Sequence, residues 1–148
     1  MTTDSRLSVA HLDGDQFRID VRGHSITVDQ PVSAGGQDAA PTPTELFLAG
    51  LAGCVAFYAR RYLVRHGLSS QGLSVGLDYE FASRPARVGQ VRLILTPPDD
   101  LPPERREALL AVASHCTVHN SLSQPPAISI VLETPEPSGI GRLDPEMV

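Results

Sequence analysis

The segment Thr42-Pro43-Thr44-Glu45, followed by an apolar run from Leu46 to Ala59, restricts the folds open to this chain more than any other stretch. It places a hydroxyl at the N-cap, proline at the first helical position and a carboxylate three residues after the cap, which is a capping box with proline at N1. The pattern predicts a helix from Pro43 to about His66, stopped at Gly67, with Arg60, Arg61 and Arg65 in its last turns complementing the macrodipole. Its first two-thirds is apolar on every side, so the helix should be buried all round, with sheet and other helices wrapped about it. The uninterrupted apolar run is 14 residues, short of the ~20 that span a bilayer, and no transmembrane helix or membrane partner is expected.

Residues 6–12, 16–22 and 24–29 read as three short strands joined by the turn signals Leu12-Asp13-Gly14-Asp15 and Arg22-Gly23-His24, an antiparallel meander. In the second of them Phe17, Ile19 and Val21 alternate with Arg18, Asp20 and Arg22, so the apolar set should face a core while both arginines share the other face. The stretch 31–43, with Gly35-Gly36, is a loop. Residues 73–82 and 88–96 read as a hairpin across 84–87, weakened by Gly76. A second helix is expected from Pro102 to about Ser114, a short helix or turn over 116–123, and a final strand from Ile128 to Glu133. The expected fold class is α+β, antiparallel sheets around long central helices, in one domain over 1–133 with a loosely ordered tail over 134–148.

Composition removes several function classes. The chain of 148 residues carries a net charge of −5, with arginines spread along it apart from the group at 60–65, so nucleic acid is not the expected partner. All twelve basic residues are arginine, which excludes Schiff-base chemistry and lysine-anchored cofactors. The amino terminus Met-Thr-Thr-Asp-Ser-Arg lacks the organisation of a secretory signal, so a cytoplasmic location is expected, where thiols rest reduced.

The chemistry-bearing residues are Cys54, inside the apolar helix, and Cys116, which opens Cys-Thr-Val-His-Asn-Ser. They are far apart in sequence, so only folding could pair them. If it does, the pair can cycle between dithiol and disulfide, one thiolate attacking an oxidant and the other resolving the product. A thiol among apolar groups is ordinarily inert, and Cys54 lies about three turns from the helix start, where the macrodipole has faded. A guanidinium would have to supply the field: Arg18 or Arg22 from the meander, or Arg61, which shares a helix face with Cys54 and Tyr58. Glu45 has a complete structural explanation as the capping carboxylate, with charge relay to an arginine as the competing role. His115, Cys116 and His119 offer metal-binding atoms, but His11, His24 and His66 fall in no ligand spacing, and no metal or cofactor is expected.

The run from Pro43 to Cys54, followed by Cys116-Thr-Val-His-Asn-Ser-Leu and by Ile128-Ser-Ile-Val-Leu, resembles the OsmC/Ohr family of osmotically inducible and organic hydroperoxide resistance proteins over roughly residues 6–133. The resemblance implies an intertwined homodimer with two active sites at its interface, and thiol peroxidase chemistry on organic and possibly hydrogen peroxides. By that resemblance Cys54 is the peroxidatic residue, Cys116 resolves its sulfenic acid into a disulfide, and a lipoyl-type or other dithiol reduces it. Two positions depart from the hydroperoxide-resistance branch. Thr44 follows the proline where that branch has glutamate, with Glu45 one step on, and its arginine around the first hairpin is replaced by Leu12-Asp13-Gly14-Asp15, leaving Arg18 and Arg22 nearest. The chain is thus more similar to the broader OsmC-like branch. Two other readings of the cysteines stand beside this one: a binding protein for a small apolar or acyl ligand in which they merely pack, and a permanent disulfide staple.

Overall fold

The computed structural model describes residues 6–134. The long helix forms where its cap demands, as α1 (Pro43–Arg65). The Thr42 backbone N–H donates to Glu45 Oε1 at 3.0 Å and the Glu45 N–H donates to Thr42 Oγ1 at 3.1 Å, so two of the end's orphan donors are satisfied reciprocally. At the other end His66 caps the helix and Gly67 turns the chain at φ +66°.

Two strands, β4 (Ser74–Ala82) and β5 (Arg87–Thr96), pair antiparallel with a register shift between Glu80 and Phe81. Val75, Val91, Leu93 and Leu95 point from this hairpin toward the core, the period-two alternation turning one face inward. The second helix begins with a 3₁₀ turn at Pro103–Arg105 and continues as α2 (Arg106–Ala113), and α3 (Thr117–Ser123) follows after a break. Leu51, Val55, Ala59, Tyr62 and Leu63 of α1 meet Leu101, Leu109, Ala113 and Cys116 in one buried cluster, closed by the hairpin.

The other sheet stands apart from that cluster. Its strands β1 (Ser8–His11), β2 (Phe17–Val21) and β3 (His24–Val28) form an antiparallel meander in sequence order. Arg22 and Gly23 make the β2–β3 turn, both with positive φ, the geometry of a two-residue hairpin loop. The strand expected to run to residue 22 therefore ends at Val21, and Arg22 leaves the face it was expected to share with Arg18.

Between this sheet and α1 runs a loop organised by one carboxylate. Asp29, 1% exposed, accepts from the backbone N–H groups of Gln30 at 2.7 Å, Gln37 at 3.2 Å and Ala39 at 3.0 Å. Its own N–H donates to the Pro41 carbonyl at 3.0 Å. These donors, with that of Ala39 foremost, hold the Asp29 carboxyl below its ordinary range against the opposing effect of desolvation. Gly36 is required here because a Cβ would collide with the Gln30 carbonyl.

Three expectations are corrected. First, α1 is buried on one side only within this chain: Phe47, Phe57 and Val64 are exposed, and nothing approaches the Cβ positions of Gly50 and Gly53. Apolar composition all round dictated that both faces seek cover, but the elements of one chain are enough for one. By length and composition α1 could cross a membrane, at mean hydropathy 1.3 over 18 residues, because a few polar residues extend the apolar run; core helices of globular proteins pass the same test. Second, Ile128 to Glu133 forms no strand, and Ile130 is 95% exposed. A strand exists only as part of a ladder, and no edge within the described residues takes this segment up. Third, the apolar residues of β2 meet no core, with Phe17 exposed and Ile19 and Val21 half-buried. The tail expected over 134–148 lies, beyond Thr134, outside the described residues.

Candidate active site

Cys54 sits midway along α1 on the flank of its buried face, half-exposed, with both thiols free. Cys116 is completely buried at the mouth of α3, where its backbone is extended and its sulfur accepts the His119 N–H at 3.3 Å. It is the N-cap of that helix, a position usually held by Ser, Thr, Asp or Asn. The fold brings the two cysteines together: Cys54 packs against the buried cluster that holds Cys116, and its thiol is near enough to act on the titration of Cys116. Burial, and then the neighbouring Cys54 thiol and its charge when ionised, push the Cys116 thiol up, while the N–H groups of His119 and Val118 pull it partly back. Cys116 therefore keeps its proton at neutral pH.

A second link fixes α3 to α1. The Tyr58 and Thr117 hydroxyls share a hydrogen bond of 2.7 Å, one helical turn beyond Cys54 and one residue beyond Cys116. Tyr58 was recognised in the sequence only as sharing a face with Cys54. The bond itself and the capping role of Cys116 escaped that reading, although Cys-Thr-Val-His has the length of an N-cap turn. The neighbouring imidazoles are held locally: His115 Nδ1 bonds the Ala111 carbonyl and His119 Nδ1 the Ser114 carbonyl, each at 2.7 Å.

The other expected site residues stand elsewhere. Arg18 pairs with Asp20 at 2.9 Å on the outer sheet. Arg22 occupies the β2–β3 turn. Arg61 leans back one turn, as its helical position requires, but its guanidinium lies over the Phe57 ring, 5.7 Å from the centroid, not over Cys54. Glu45 is engaged in the capping box, on the far side of the helix from Cys54. The structure thus unites the cysteines and leaves every expected cation in another place within the single chain.

Beyond Tyr58 a concave groove of about 590 Å³ opens between the second half of α1 and α2, lined by Tyr58, Arg61, Tyr62, Arg65, His66, Ala111, Val112 and His115. It is within the ordinary size range of small-molecule sites.

Comparison with known proteins matches residues 35–131 to the model of the OsmC-like protein family. Among solved structures, an OsmC organic hydroperoxide resistance protein from Legionella pneumophila, described as a predicted redox protein and regulator of sulfide bond formation, superposes at a TM-score of 0.62. It is 22% identical, covering 82% of this chain and 90% of that one. An OsmC-like protein from Mycoplasma pneumoniae gives 0.68 at 16% identity, covering 83% and 89%. A protein of Psychrobacter arcticus assigned to osmotic stress induction and the detoxification response gives 0.74 at 20%, covering 82% and 90%. At these identities the likeness establishes the α+β fold. No curated protein matches the chain.

Proposed function

Because this chain belongs to the OsmC-like family, we propose that it is a thiol-dependent peroxidase acting on organic hydroperoxides, with Cys54 as the attacking residue. The single observation that supports the reading is that folding sets Cys54, half-exposed, against the buried cluster of Cys116, from far away in the sequence. The Cys54 thiolate attacks the terminal peroxide oxygen, the O–O bond breaks, and the alkoxide leaves as alcohol after taking a proton. The resulting sulfenic acid condenses with the Cys116 thiol, releasing water and forming the disulfide. An external dithiol, of lipoyl type or another, then returns both sulfurs to thiols by exchange.

The reading includes a homodimer, which is what the uncovered surfaces of this chain call for. The exposed side of α1 with Phe47, Phe57 and the bare Gly50 and Gly53, the face of the outer sheet with Phe17 and Ile26, and the segment around Ile130 are all apolar and unpartnered in the single chain. A second copy would cover them and offer sheet edges to 128–132. In this reading Arg18, paired with Asp20 in the single chain, remains the guanidinium assigned to Cys54. In this arrangement Glu45 starts α1 and takes no step in the chemistry.

The test is consumption of cumene hydroperoxide by the full chain with a dithiol in excess. Turnover is expected, with loss of at least a hundredfold in Cys54→Ser. In Cys116→Ser a sulfenic acid should be trappable by dimedone. Consumption no faster than that of Cys54→Ser overturns the reading, as does a Cys116→Ser protein whose Cys54 never forms a dimedone adduct.

A further inference from the structure

The helix that carries Cys116 is weakly held by its own sequence. α3 runs for seven residues, well short of the ~12 that an isolated helix needs, and a sulfur caps it, a weaker acceptor than the oxygen of Ser, Thr, Asp or Asn. Where the resolving sulfur points therefore depends on what α3 leans against. His119 Nδ1 bonds the Ser114 carbonyl at 2.7 Å and Asn120 Nδ2 donates to the His115 carbonyl at 3.3 Å, which fastens α3 to the end of α2. Toward α1, Val118 packs on the buried cluster, and such packing has no preferred direction. Direction comes from the 2.7 Å bond between the Tyr58 and Thr117 hydroxyls.

That bond is not needed to satisfy either group, because Thr117 is exposed and Tyr58 half-buried, and water would serve both. Its place explains it better. Tyr58 lies four residues after Cys54, about 6 Å along the axis and near the same face. Thr117 follows Cys116 directly, their Cα atoms about 3.8 Å apart. With the cap supplied by Cys116, the Thr117 hydroxyl is left to reach α1. The hydroxyl bridge and a Cys54–Cys116 disulfide are thus neighbouring rungs between the same two helices. A disulfide tolerates only about 4.4–6.8 Å between Cα atoms, so a small drift of α3 on α1 is enough to slow its closure.

We propose that Tyr58 is a positioning residue for the resolving step: through the Thr117 hydroxyl it holds α3 so that the Cys116 sulfur stands ready for Cys54, and it takes no part in the attack on peroxide. This deepens the peroxidase reading and rests on it. In the step concerned the Cys116 sulfur attacks the sulfur of the Cys54 sulfenic acid, the S–S bond forms, the S–O bond breaks, and hydroxide leaves with the Cys116 proton as water. Without the bridge the sulfenic acid waits, and a second hydroperoxide oxidises it to sulfinic acid while being reduced to alcohol.

The experiment follows single turnovers of the full chain with cumene hydroperoxide, reading attack by dimedone capture of the sulfenic acid and closure by loss of titratable thiols. Tyr58→Phe and Thr117→Val should each slow closure about tenfold, the size of one neutral hydrogen bond, with attack within about twofold of the parent. The double variant should close no more slowly than either single one, and Thr117→Ser, which keeps the hydroxyl, should close at the parental rate. The two Thr117 variants serve if Tyr58→Phe does not fold. Closure unchanged in Tyr58→Phe and Thr117→Val, attack slowed by Tyr58→Phe, or Thr117→Ser as slow as Thr117→Val overturns the proposal. In a parallel arm dithiodipyridine replaces peroxide: Cys54 displaces one thiopyridone, Cys116 displaces the second, and the closing step is read with no peroxide present. A second release slowed by loss of the bridge, in a chain that reduces no hydroperoxide, keeps Tyr58 in this role and removes the peroxidase. Full peroxide turnover with closure indifferent to the bridge does the reverse.

Discussion

The two sheets of this molecule are built from similar sequence and meet different fates. The β4–β5 hairpin and the β1–β3 meander are both antiparallel and both alternate apolar with polar residues. The hairpin turns Val75, Val91 and Leu93 into the cluster around Leu63, whereas the meander holds Phe17 and Ile26 out in the open. Alternation in a strand announces that one face needs cover; it does not say which molecule provides it. In this chain α1 has one covered and one bare side, and the meander, like that bare side, keeps apolar residues exposed.

The widest separation between the regions should appear in truncations of apolar side chains. Leu63 is 0% exposed, and Leu63→Ala should cost about 2–5 kcal/mol, read from the denaturant midpoint. A loss under about 1 kcal/mol would mean that the cluster is not the stabilising core. Phe17→Asp should instead leave the helical body folded and shift sedimentation from two chains to one. If the mass in solution is unchanged, the meander's exposed face is no interface and the comparison fails.

Smaller effects concern charge. Asp29 has its carboxyl held down by backbone donors, so the stabilisation it gives is present above the ordinary aspartate value of about 3.9 and is lost as pH falls through the lower folded value. Asp29→Asn should lower the thermal midpoint at neutral pH and flatten that acid limb, with little change in α-helix signal. The smallest effect belongs to Cys116, whose thiol is pushed up by burial. The stabilisation from keeping it neutral is intact below the ordinary thiol value of about 8.5 and is lost as pH rises beyond it. Cys116→Ala should remove that alkaline slope, and a slope that persists would assign it to another group.

Much of the architecture could be read in advance because its signals are local. Thr42, Pro43 and Glu45 fix where α1 starts, Gly67 where it stops, and alternation locates five strands within a residue or two. What escaped was whatever depends on partners distant in sequence. The strand expected from Ile128 has the right composition but no ladder to join within the described residues. The pairing of Cys54 with Cys116 was open until α3 folded back on α1, and the Tyr58 to Thr117 bond that secures it has no signature in either segment. The place of the cations depends on such partners too: within the single chain Arg18 pairs with Asp20 and Arg61 lies over the Phe57 ring, contacts that neither strand alternation nor helical spacing announced.

One loop connects these two differently packed regions, and Asp29 governs it. With three amides gathered on its carboxylate and Gly36 pressed against Gln30, the chain entering α1 has little freedom to swivel. The direction in which the three-stranded sheet leaves α1 is thus decided by polar fastening at its base, and on the dimer proposed above its hold on a second copy would be decided by the greasy residues further out. Loosening the base would leave those residues as adhesive as before but pointed at nothing.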